Sequence, residues 1–258
     1  MSAVFSIITL TSNSAKKIKA CMDSLSKQTY KNIEHLVLDG GSTDGTLQIV
    51  ATYQTYNFNS EIISQNGTGL YNALNQAVYH SKGDWVGILH SDDYYFDLNT
   101  LKHVNEFIQA NTQSNVVYGG VSFVSKRKEI LRNWMPSQYS KFRLYFGWMP
   151  PHPGVFIKRN HLLKFLPYRE DMRISSDYEL LLRLFMDKST NAVCLKKVIT
   201  HMQMGGVSTS GINATLSAIW EDFAALVSAK FYFFPAILFK RVFKIKQFIV
   251  AKKNNNTL

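Results

Sequence analysis

Cysteine is scarce in this chain of 258 residues: it has two, Cys21 and Cys194, and neither lies in a CxxC or Cys/His spacing. This excludes a disulfide framework and makes a zinc site improbable. The first five residues lack a basic segment followed by a long apolar stretch, so we expect no secretory signal and a cytoplasmic location.

Acidic residues are also under-represented, with 18 Asp and Glu against 29 Lys and Arg, a net charge of +11. Such an excess suggests an anionic partner: nucleic acid, a phosphorylated small molecule or an anionic membrane. With 46% hydrophobic residues the chain can bury a substantial core. We therefore predict one catalytic domain followed by a tail.

Apolar segments alternate with helical patterns along the first 110 residues. Strands are predicted at residues 4–10, 35–38, 61–64 and 85–89, and helices at 14–28 (capped by Ser14), 46–53, 70–81 and 101–110. Strands 116–118, 121–125, 155–157 and 192–200 and a helix over 178–186, capped by Ser175 or Ser176, follow. The alternation predicts an α/β fold with a mainly parallel sheet.

Polar clusters at residues 9–13, 39–44 and 90–93 follow predicted strands. Ligands of such sheets bind beyond the carboxyl ends of the strands, so we expect these clusters to converge on one site.

Asp92 and Asp93 are adjacent carboxylates that repel each other, which favours a divalent cation between them and a diphosphate. The alternative is a pair of solvated loop residues that cap a helix starting near Leu98.

Asp39 precedes two glycines, and its carboxylate can accept hydrogen bonds from a base or a ribose, or else only close an Asx turn. Asp177 opens a predicted helix, where an acid suits the helix dipole. If the chemistry is transfer to a hydroxyl, Asp177 is the candidate base.

Together these motifs resemble those of the family 2 glycosyltransferases, the inverting group with a GT-A fold, over residues 5–208. The motifs are Ser6-Ile7-Ile8-Thr9, Gln28-Thr29-Tyr30, Asp39-Gly40-Gly41-Ser42-Thr43-Asp44-Gly45, Gly69-Leu70-Tyr71-Asn72-Ala73-Leu74-Asn75, Gly83-Asp84-Trp85, Ser91-Asp92-Asp93, Ser176-Asp177-Tyr178-Glu179-Leu180 and Gly205-Gly206-Val207-Ser208.

The resemblance implies a role for each matching residue. Thr9, Thr11 and Asp39 would hold the nucleoside, usually uridine, and Asn72 and Asn75 would lie near the diphosphate-sugar. Asp93 would bind Mn²⁺ or Mg²⁺ directly, and Asp92 the ribose or the metal shell. Asp177 would be the base, His152 and Glu179 would contact the acceptor, and His201 would join the metal. His90, Gln65, Asn72 and Gln76 depart from the common pattern, which leaves the donor sugar open.

The C-terminal end of the chain is a basic amphipathic tail, residues 211–258. No acidic residue occurs from Phe223 onward, and a helix starting at Pro235 would align Leu238, Val242, Ile245 and Ile249 in one stripe. Charges interrupt the tail too often for it to cross a bilayer. We expect an in-plane anchor on an anionic membrane or, alternatively, a helix docked on the catalytic domain. Nucleic acid is not expected as a partner, because no recognition motif for it accompanies the tail.

The predicted organisation is a GT-A domain at 1–210, with a nucleotide-sugar half at about 1–115 and an acceptor half at 116–210. The predicted function is that of an inverting hexosyltransferase. We expect it to use a UDP-linked sugar as the nucleotide-sugar donor and a glycan or polyprenyl-diphosphate-linked acceptor, as in O-antigen and other surface polysaccharide synthesis. It would be peripheral on the inner face of the membrane. A metal-dependent nucleotidyltransferase and an inactive nucleotide-sugar-binding membrane partner are the alternatives.

Overall fold

The first half of the chain folds as repeated strand and helix units. A computed structural model of the chain describes residues 4–53, 60–65, 67, 69–125, 127, 129–203 and 212–239, with backbone alone for 212–218. The elements of this half are β1 (Phe5–Thr11), α1 (Ile18–Ser26), β2 (Ile33–Asp39), α2 (Thr46–Ala51), β3 (Ser60–Ser64), α3 (Leu70–His80) and β4 (Trp85–Ile88).

The second half adds strands and helices in a less regular order. Its elements are β5 (Asp93–Tyr95), α4 (Thr100–Ala110), β6 (Val116–Val124), β7 (Ile130–Trp134), α5 (Lys141–Leu144), β8 (Val155–Lys158), α6 (Arg159–Leu162), α7 (Ser176–Met186), β9 (Ala192–Gln203) and α8 (Ile212–Ser228). A 3-10 turn, His152–Gly154, precedes β8.

All described strands belong to one mixed sheet in the order β3-β2-β1-β4-β8-β6-β9-β5, with β7 paired to β6. β1 to β4 are parallel to one another, as predicted, because helices connect them. β8 then runs antiparallel between β4 and β6, and β5 runs antiparallel to β9. The predicted nucleotide-sugar and acceptor halves therefore share one continuous sheet.

The sheet is covered on both faces. In β1, Phe5 and Ile7 pack into a core with α1 and α4, whereas Ile8 and Leu10 pack into a larger core with α3 and α7. This follows from the alternation of side chains along a strand. A strand buried on both faces reads as a continuous apolar run, which is why β1 is evident in the sequence.

Several local predictions were wrong. Ser14 does not cap α1, which begins at Ile18 after Lys17, and neither Ser175 nor Ser176 makes a side-chain cap on α7. Residues 116–124 form one strand instead of two. Gly119 interrupts the apolar pattern there, yet the strand continues because it stays paired with β9 on both sides of this position. A Cβ at Gly119 would meet the Ile199 side chain of β9 at 2.7 Å.

The C-terminal region packs on the domain as far as the structure describes it. Ser228 of α8 donates to Glu179 of α7, and the chain is again helical from Pro235 to Phe239. Within the described ranges, no helix is both long and apolar enough to span a bilayer. The predicted stripe positions Val242, Ile245 and Ile249 lie outside the described residues.

Candidate active site

The loops after β1 and β2 meet at the carboxyl edge of the sheet. Thr11 and Asp39 are register partners at the ends of these strands. Asn13 links the loops, because its N–H donates to the Ser42 hydroxyl (2.8 Å) and its side-chain oxygen accepts from the Thr43 N–H (3.0 Å). The first two predicted polar clusters thus converge.

Asp39 closes the turn that follows β2. Its carboxylate accepts from the N–H groups of Gly41 (3.1 Å) and Ser42 (2.8 Å) and from the Ser42 hydroxyl. Gly41 has a φ of 83°, in the left-handed region that favours glycine. The Asx-turn alternative is therefore realised, and nucleoside binding by Asp39 stays a prediction.

Two threonines of β1 differ in what their hydroxyls do. The Thr9 hydroxyl donates to the Leu89 carbonyl (2.9 Å) and lies 3.0 Å from His35 Nε2, so it is engaged in the interior. The Thr11 hydroxyl is buried and has no hydrogen-bond partner among the described residues. Of the two, Thr11 is the one with a free hydrogen-bonding group for a ligand.

Asp93 lies inside a short strand and not in the open loop that the sequence suggested. β5 pairs with the end of β9, Asp93 opposite Met202, and leaves the Asp93 side chain 2% exposed. Its Oδ2 has no hydrogen-bond partner among the described residues. Burial, and then the charge of Asp92, raise the pKa of the Asp93 carboxyl well above its usual range.

Asp92 is less buried, and its Oδ2 lies 3.5 Å from Lys17 Nζ. Two adjacent carboxylates, one with an unpartnered buried oxygen, fit Mn²⁺ or Mg²⁺, which bind hard oxygen ligands. Such ions commonly take one or two carboxylates and complete their shell with water and phosphate oxygens. No group of three His, Cys, Asp or Glu ligands converges within the described ranges.

His201 does not join the carboxylate pair. It is the register partner of Tyr94, so alternation along β5 puts it on the face of the sheet opposite Asp93. Its ring lies 5.1 Å from that of Tyr94 and 5.0 Å from that of Phe96, and burial lowers its pKa.

Asp177 lies in the first turn of α7 with 34% of its side chain exposed. Its Oδ1 accepts from the Tyr178 N–H (2.8 Å) and lies 3.4 Å from the Tyr71 hydroxyl, which donates to the Ile174 carbonyl (2.7 Å). Its Oδ2 lies 4.0 Å from His152 Nδ1. The predicted base and the predicted acceptor histidine are therefore neighbours.

His152 is held between Asp177 and Tyr168, whose hydroxyl lies 3.4 Å from Nε2. Burial lowers the pKa of His152 to about 4, and the negative charge of Asp177 only partly opposes this. His152 is therefore neutral at pH 7. His90, which the sequence marked only as a departure from the family pattern, also has its pKa lowered by burial, with Asp92 and Asp177 acting in the opposite direction.

Asn72 and Asn75 of α3 are engaged with the chain around residue 170. Asn75 accepts from the Tyr168 N–H (2.7 Å) and donates to the Tyr168 carbonyl (2.9 Å). Both amides donate to Glu170, at 3.0 Å from Asn75 and 3.1 Å from Asn72. The sequence analysis missed Glu170, because a carboxylate 95 residues from Asn75 has no local pattern that links the two.

Glu179 points into the protein and away from Asp177. Both of its oxygens accept from Arg183 (2.8 and 2.9 Å), and Oε1 also accepts from the Ser228 hydroxyl. The carboxylate is almost completely buried. The structure thus gives Glu179 partners within the fold, and acceptor binding by this side chain stays a prediction.

Glu221 of α8 is a second residue that the sequence analysis missed. Its carboxylate accepts from the N–H groups of Ile174 (2.7 Å) and Ser175 (2.9 Å), in the loop that leads to Asp177. Neighbouring Asp222 accepts from the Ser175 hydroxyl (3.0 Å). The Glu-Asp pair in an otherwise uncharged helix was the available signal.

Comparisons with known proteins identify the family. Residues 6–170 match the model of the family described as Glycosyl transferase family 2. A PGL/p-HBAD biosynthesis glycosyltransferase of Mycobacterium bovis (strain BCG / Pasteur 1173P2) is 30% identical over 210 residues, which are 80% of each chain. Chondroitin synthase of Pasteurella multocida (strain Pm70) is 27% identical over 72% of this chain and 20% of its own length.

Solved structures show the same fold. S. aureus TarS 1-349 in complex with UDP has a TM-score of 0.67 at 22% identity, over 87% of this chain and 64% of that one. This chain thus spans slightly less than two thirds of that structure. The mannosyltransferase PcManGT from Pyrobaculum calidifontis, in complex with GDP-Man and Mn²⁺, has a TM-score of 0.62 at 17% identity, over 94% and 74% of the two chains. The predicted GT-A fold is confirmed.

Proposed function

Because this chain belongs to glycosyl transferase family 2 and is a glycosyltransferase, we propose that it transfers a sugar from a nucleoside-diphosphate donor to an acceptor hydroxyl with inversion. The observation that carries this proposal is the Asp177 carboxylate, which is partly exposed at a helix start and faces His152. No Lys or Arg in the described part of the chain forms an ion pair with it. A carboxylate in this state can accept a proton.

The donor would bind at the edge formed by β1, β2 and β5. Thr11 offers a hydroxyl without a partner among the described residues, and Asp39 lies beside it in register. Thr9 supports this edge from the interior. Asp93 and Asp92 would hold Mn²⁺ or Mg²⁺, which when bound would neutralise charge on the diphosphate leaving group. A UDP-linked donor is the form we propose, and TarS, which has the same fold, has been solved with UDP-GlcNAc.

The transfer itself is one displacement. Asp177 takes the proton of the acceptor hydroxyl while that oxygen forms a bond to the anomeric carbon, and the bond from this carbon to the diphosphate breaks with its electron pair on the diphosphate. Attack comes from the face opposite the diphosphate, so the configuration inverts. The Tyr71 hydroxyl lies 3.4 Å from the Asp177 side chain on one side, and neutral His152 would offer a hydrogen bond near the incoming hydroxyl.

The acceptor we propose is a glycan or a polyprenyl-diphosphate-linked sugar of surface polysaccharide synthesis, met at the inner face of the membrane. Relatives named as a PGL/p-HBAD biosynthesis glycosyltransferase and as a chondroitin synthase support an acceptor that is itself a product of biosynthetic assembly. The seven Lys and Arg residues from Lys230 to the C-terminus, with no acidic residue among them, support an anionic membrane surface as a partner.

A panel of nucleotide sugars tests the donor and the reaction type. The cognate donor should raise the unfolding temperature with Mn²⁺ and lose this effect with a chelator, because only the folded state binds it. The assay should then release a nucleoside diphosphate. Release of pyrophosphate would instead establish nucleotidyl transfer, and donor binding without any product would establish a binding protein.

Asp177→Asn should lower the transfer rate by about two to four orders of magnitude, because the amide cannot accept the proton. Donor affinity in a titration with Mn²⁺ should not change, since the side chain keeps its shape. Asp171→Asn is the matched control: this carboxylate is exposed and pairs with Arg169. A rate equal to wild type in Asp177→Asn would remove Asp177 as the base.

A further inference from the structure

Large apolar side chains remain exposed on three segments of the second half. Phe142 and Phe146 lie in and after α5, Trp220 and Phe223 lie on α8, and Tyr232, Phe234 and Leu238 lie beyond it. Phe142 is 69% exposed and Trp220 71%. We call these seven residues the aromatic surface.

Ring contacts join the three segments. Trp220 stacks on Phe223 (centroids 5.8 Å apart), and Phe223 stacks on Phe234 (4.8 Å). After α5, Tyr145 contacts Phe231 at 4.8 Å and Phe146 contacts Phe239 at 5.4 Å. These exposed rings are therefore part of one packed arrangement. Apolar residues scattered singly over a surface need no explanation, but a packed group of them does.

In the part of α8 whose side chains are described, residues 219–228, apolar side chains are exposed as well as buried. Ala225 and Leu226 are buried against the domain, whereas Ile219, Trp220 and Val227 are exposed. A helix in contact with water on one side normally carries polar residues there. The outer face of α8 is thus suited to a partner that is itself apolar.

The charges around the aromatic surface indicate what that partner is. Lys141 and Arg143 lie on α5, Lys230 follows α8, and the chain has no acidic residue from Phe223 to its end. Aromatic rings combined with Lys and Arg are typical of segments that rest in the headgroup region of anionic membranes. A protein partner of neutral charge would not account for these Lys and Arg residues.

We propose that the aromatic surface inserts into the interfacial layer of an anionic bilayer and is a membrane-docking site in the folded domain itself. This proposal rests on the membrane partner proposed above and adds a contact surface in the folded domain to the basic tail.

The docking site would place the reaction near the bilayer. Trp220 is adjacent on α8 to Glu221, which accepts from the N–H groups of Ile174 and Ser175, just before Asp177. The loop that leads to the base therefore lies about one helix diameter, roughly 10 Å, from the docked face. That distance suits an acceptor whose diphosphate stays at the membrane surface.

The test is sedimentation of the full chain with vesicles of phosphatidylcholine, with and without phosphatidylglycerol. Wild type should bind the anionic vesicles. Trp220→Ser and Phe142→Ser should each weaken binding by about tenfold, because each removes an inserted ring. The control is Tyr79→Ser, which removes an equally exposed ring (60%) on α3 and should bind as wild type does. Equal binding by all variants would refute the docking site and leave the tail as the anchor.

A measurement on intact protein avoids dependence on the stability of the variants. Trp220 is the most exposed of the four Trp residues, and Trp85 is buried. Lipids brominated in the acyl chains should quench Trp220 fluorescence, and Trp220→Phe should still bind vesicles but lose this quenching. Unquenched Trp220 in bound protein would overturn the proposal, as would a dimer that Trp220→Ser converts to a monomer. Neither measurement requires sugar transfer, so an inactive preparation that docks would count against the proposed function alone.

Discussion

The Asp93 side chain is buried at a cost that the described fold does not offset. One carboxylate oxygen has no partner among the described residues, and Asp92 is next in the chain. A buried, incompletely bonded carboxylate destabilises a protein unless a cation or donor reaches it. A cation bound at this edge would supply the missing partner.

Asp93→Asn should therefore stabilise the chain in the presence of a chelator, by about 1 kcal/mol or roughly 2–4 °C in unfolding temperature, because burial disfavours the ionised carboxyl and the amide has no ionised form. The same variant should lose the stabilisation that Mn²⁺ and donor give together. Thermal unfolding with chelator and with Mn²⁺ measures both effects.

Asp92→Asn is the comparison for this prediction. Asp92 is partly exposed and pairs at 3.5 Å with Lys17, and such an exposed ion pair adds little to stability. The unfolding temperature of Asp92→Asn in chelator should therefore stay near that of wild type. A lower unfolding temperature for Asp93→Asn in chelator would contradict our account of Asp93.

Glu179 is predicted to be a structural residue by its contacts with Arg183 and Ser228. Glu179→Ala should lower the free energy of unfolding by roughly 3 kcal/mol, because it leaves Arg183 without its carboxylate in a largely buried setting. Denaturant titration measures this. Glu106→Ala, on the exposed side of α4, should change stability by less than about 0.5 kcal/mol. A stable Glu179→Ala with weakened acceptor binding would restore the acceptor role.

At the scale of elements, α8 holds the start of α7 in place. Glu221 accepts from two successive backbone N–H groups there, and Asp222 from the Ser175 hydroxyl. Because hydrogen bonds to a charged group contribute about 1.5–3 kcal/mol, these contacts can fix the direction in which Asp177 points. Glu221 is thus a positioning residue.

Glu221→Gln should lower kcat by about tenfold, since a misplaced base loses much of its advantage, while donor affinity stays unchanged. Steady-state rates measure kcat, and a separate titration measures donor affinity. Glu221→Asp, which keeps the charge on a shorter arm, should recover part of kcat, and Glu106→Gln should behave as wild type. If donor affinity fell together with kcat, Glu221 would act on the whole fold and not on the base.

Which elements were predictable depended on whether their residues interact locally. β1 to β4 and α3 follow from apolar periodicity and were predicted to within a few residues. β5 was missed, because three residues form a strand only when β9 pairs with them, and no local pattern records that pairing. Likewise the sequence showed Asp177 and His152 as separate motifs, and only packing makes them neighbours.

At the scale of the whole molecule, two buried histidines make stability depend on pH. Burial lowers the pKa of His35 to about 3 and that of His152 to about 4, whereas both have values near 6.5 in an unfolded chain. Below pH 6.5 the unfolded chain therefore binds protons that the folded chain does not. The free energy of unfolding is therefore not lowered by these groups above pH 6.5, and it falls as the pH drops toward 4.

Each histidine should contribute a slope of about 1.4 kcal/mol per pH unit in this window. Denaturant titrations between pH 4 and 7 measure the sum, and His35→Gln should reduce the slope by one such contribution. His80→Gln, at the exposed end of α3, should leave the slope unchanged. An unaltered slope in His35→Gln would show that His35 is already protonated in the folded chain.

The pairing of β5 with the end of β9 also has a consequence for the order of folding. β1 to β4 can assemble as soon as the first half of the chain is available, but Asp93 gains its place only when β9, far later in sequence, arrives beside it. Contacts between distant segments form late, because a long loop must close first. During synthesis, the edge that we propose for the cation would therefore be completed after the edge that we propose for the nucleoside, and an unfinished chain would lack Asp93 in its final place.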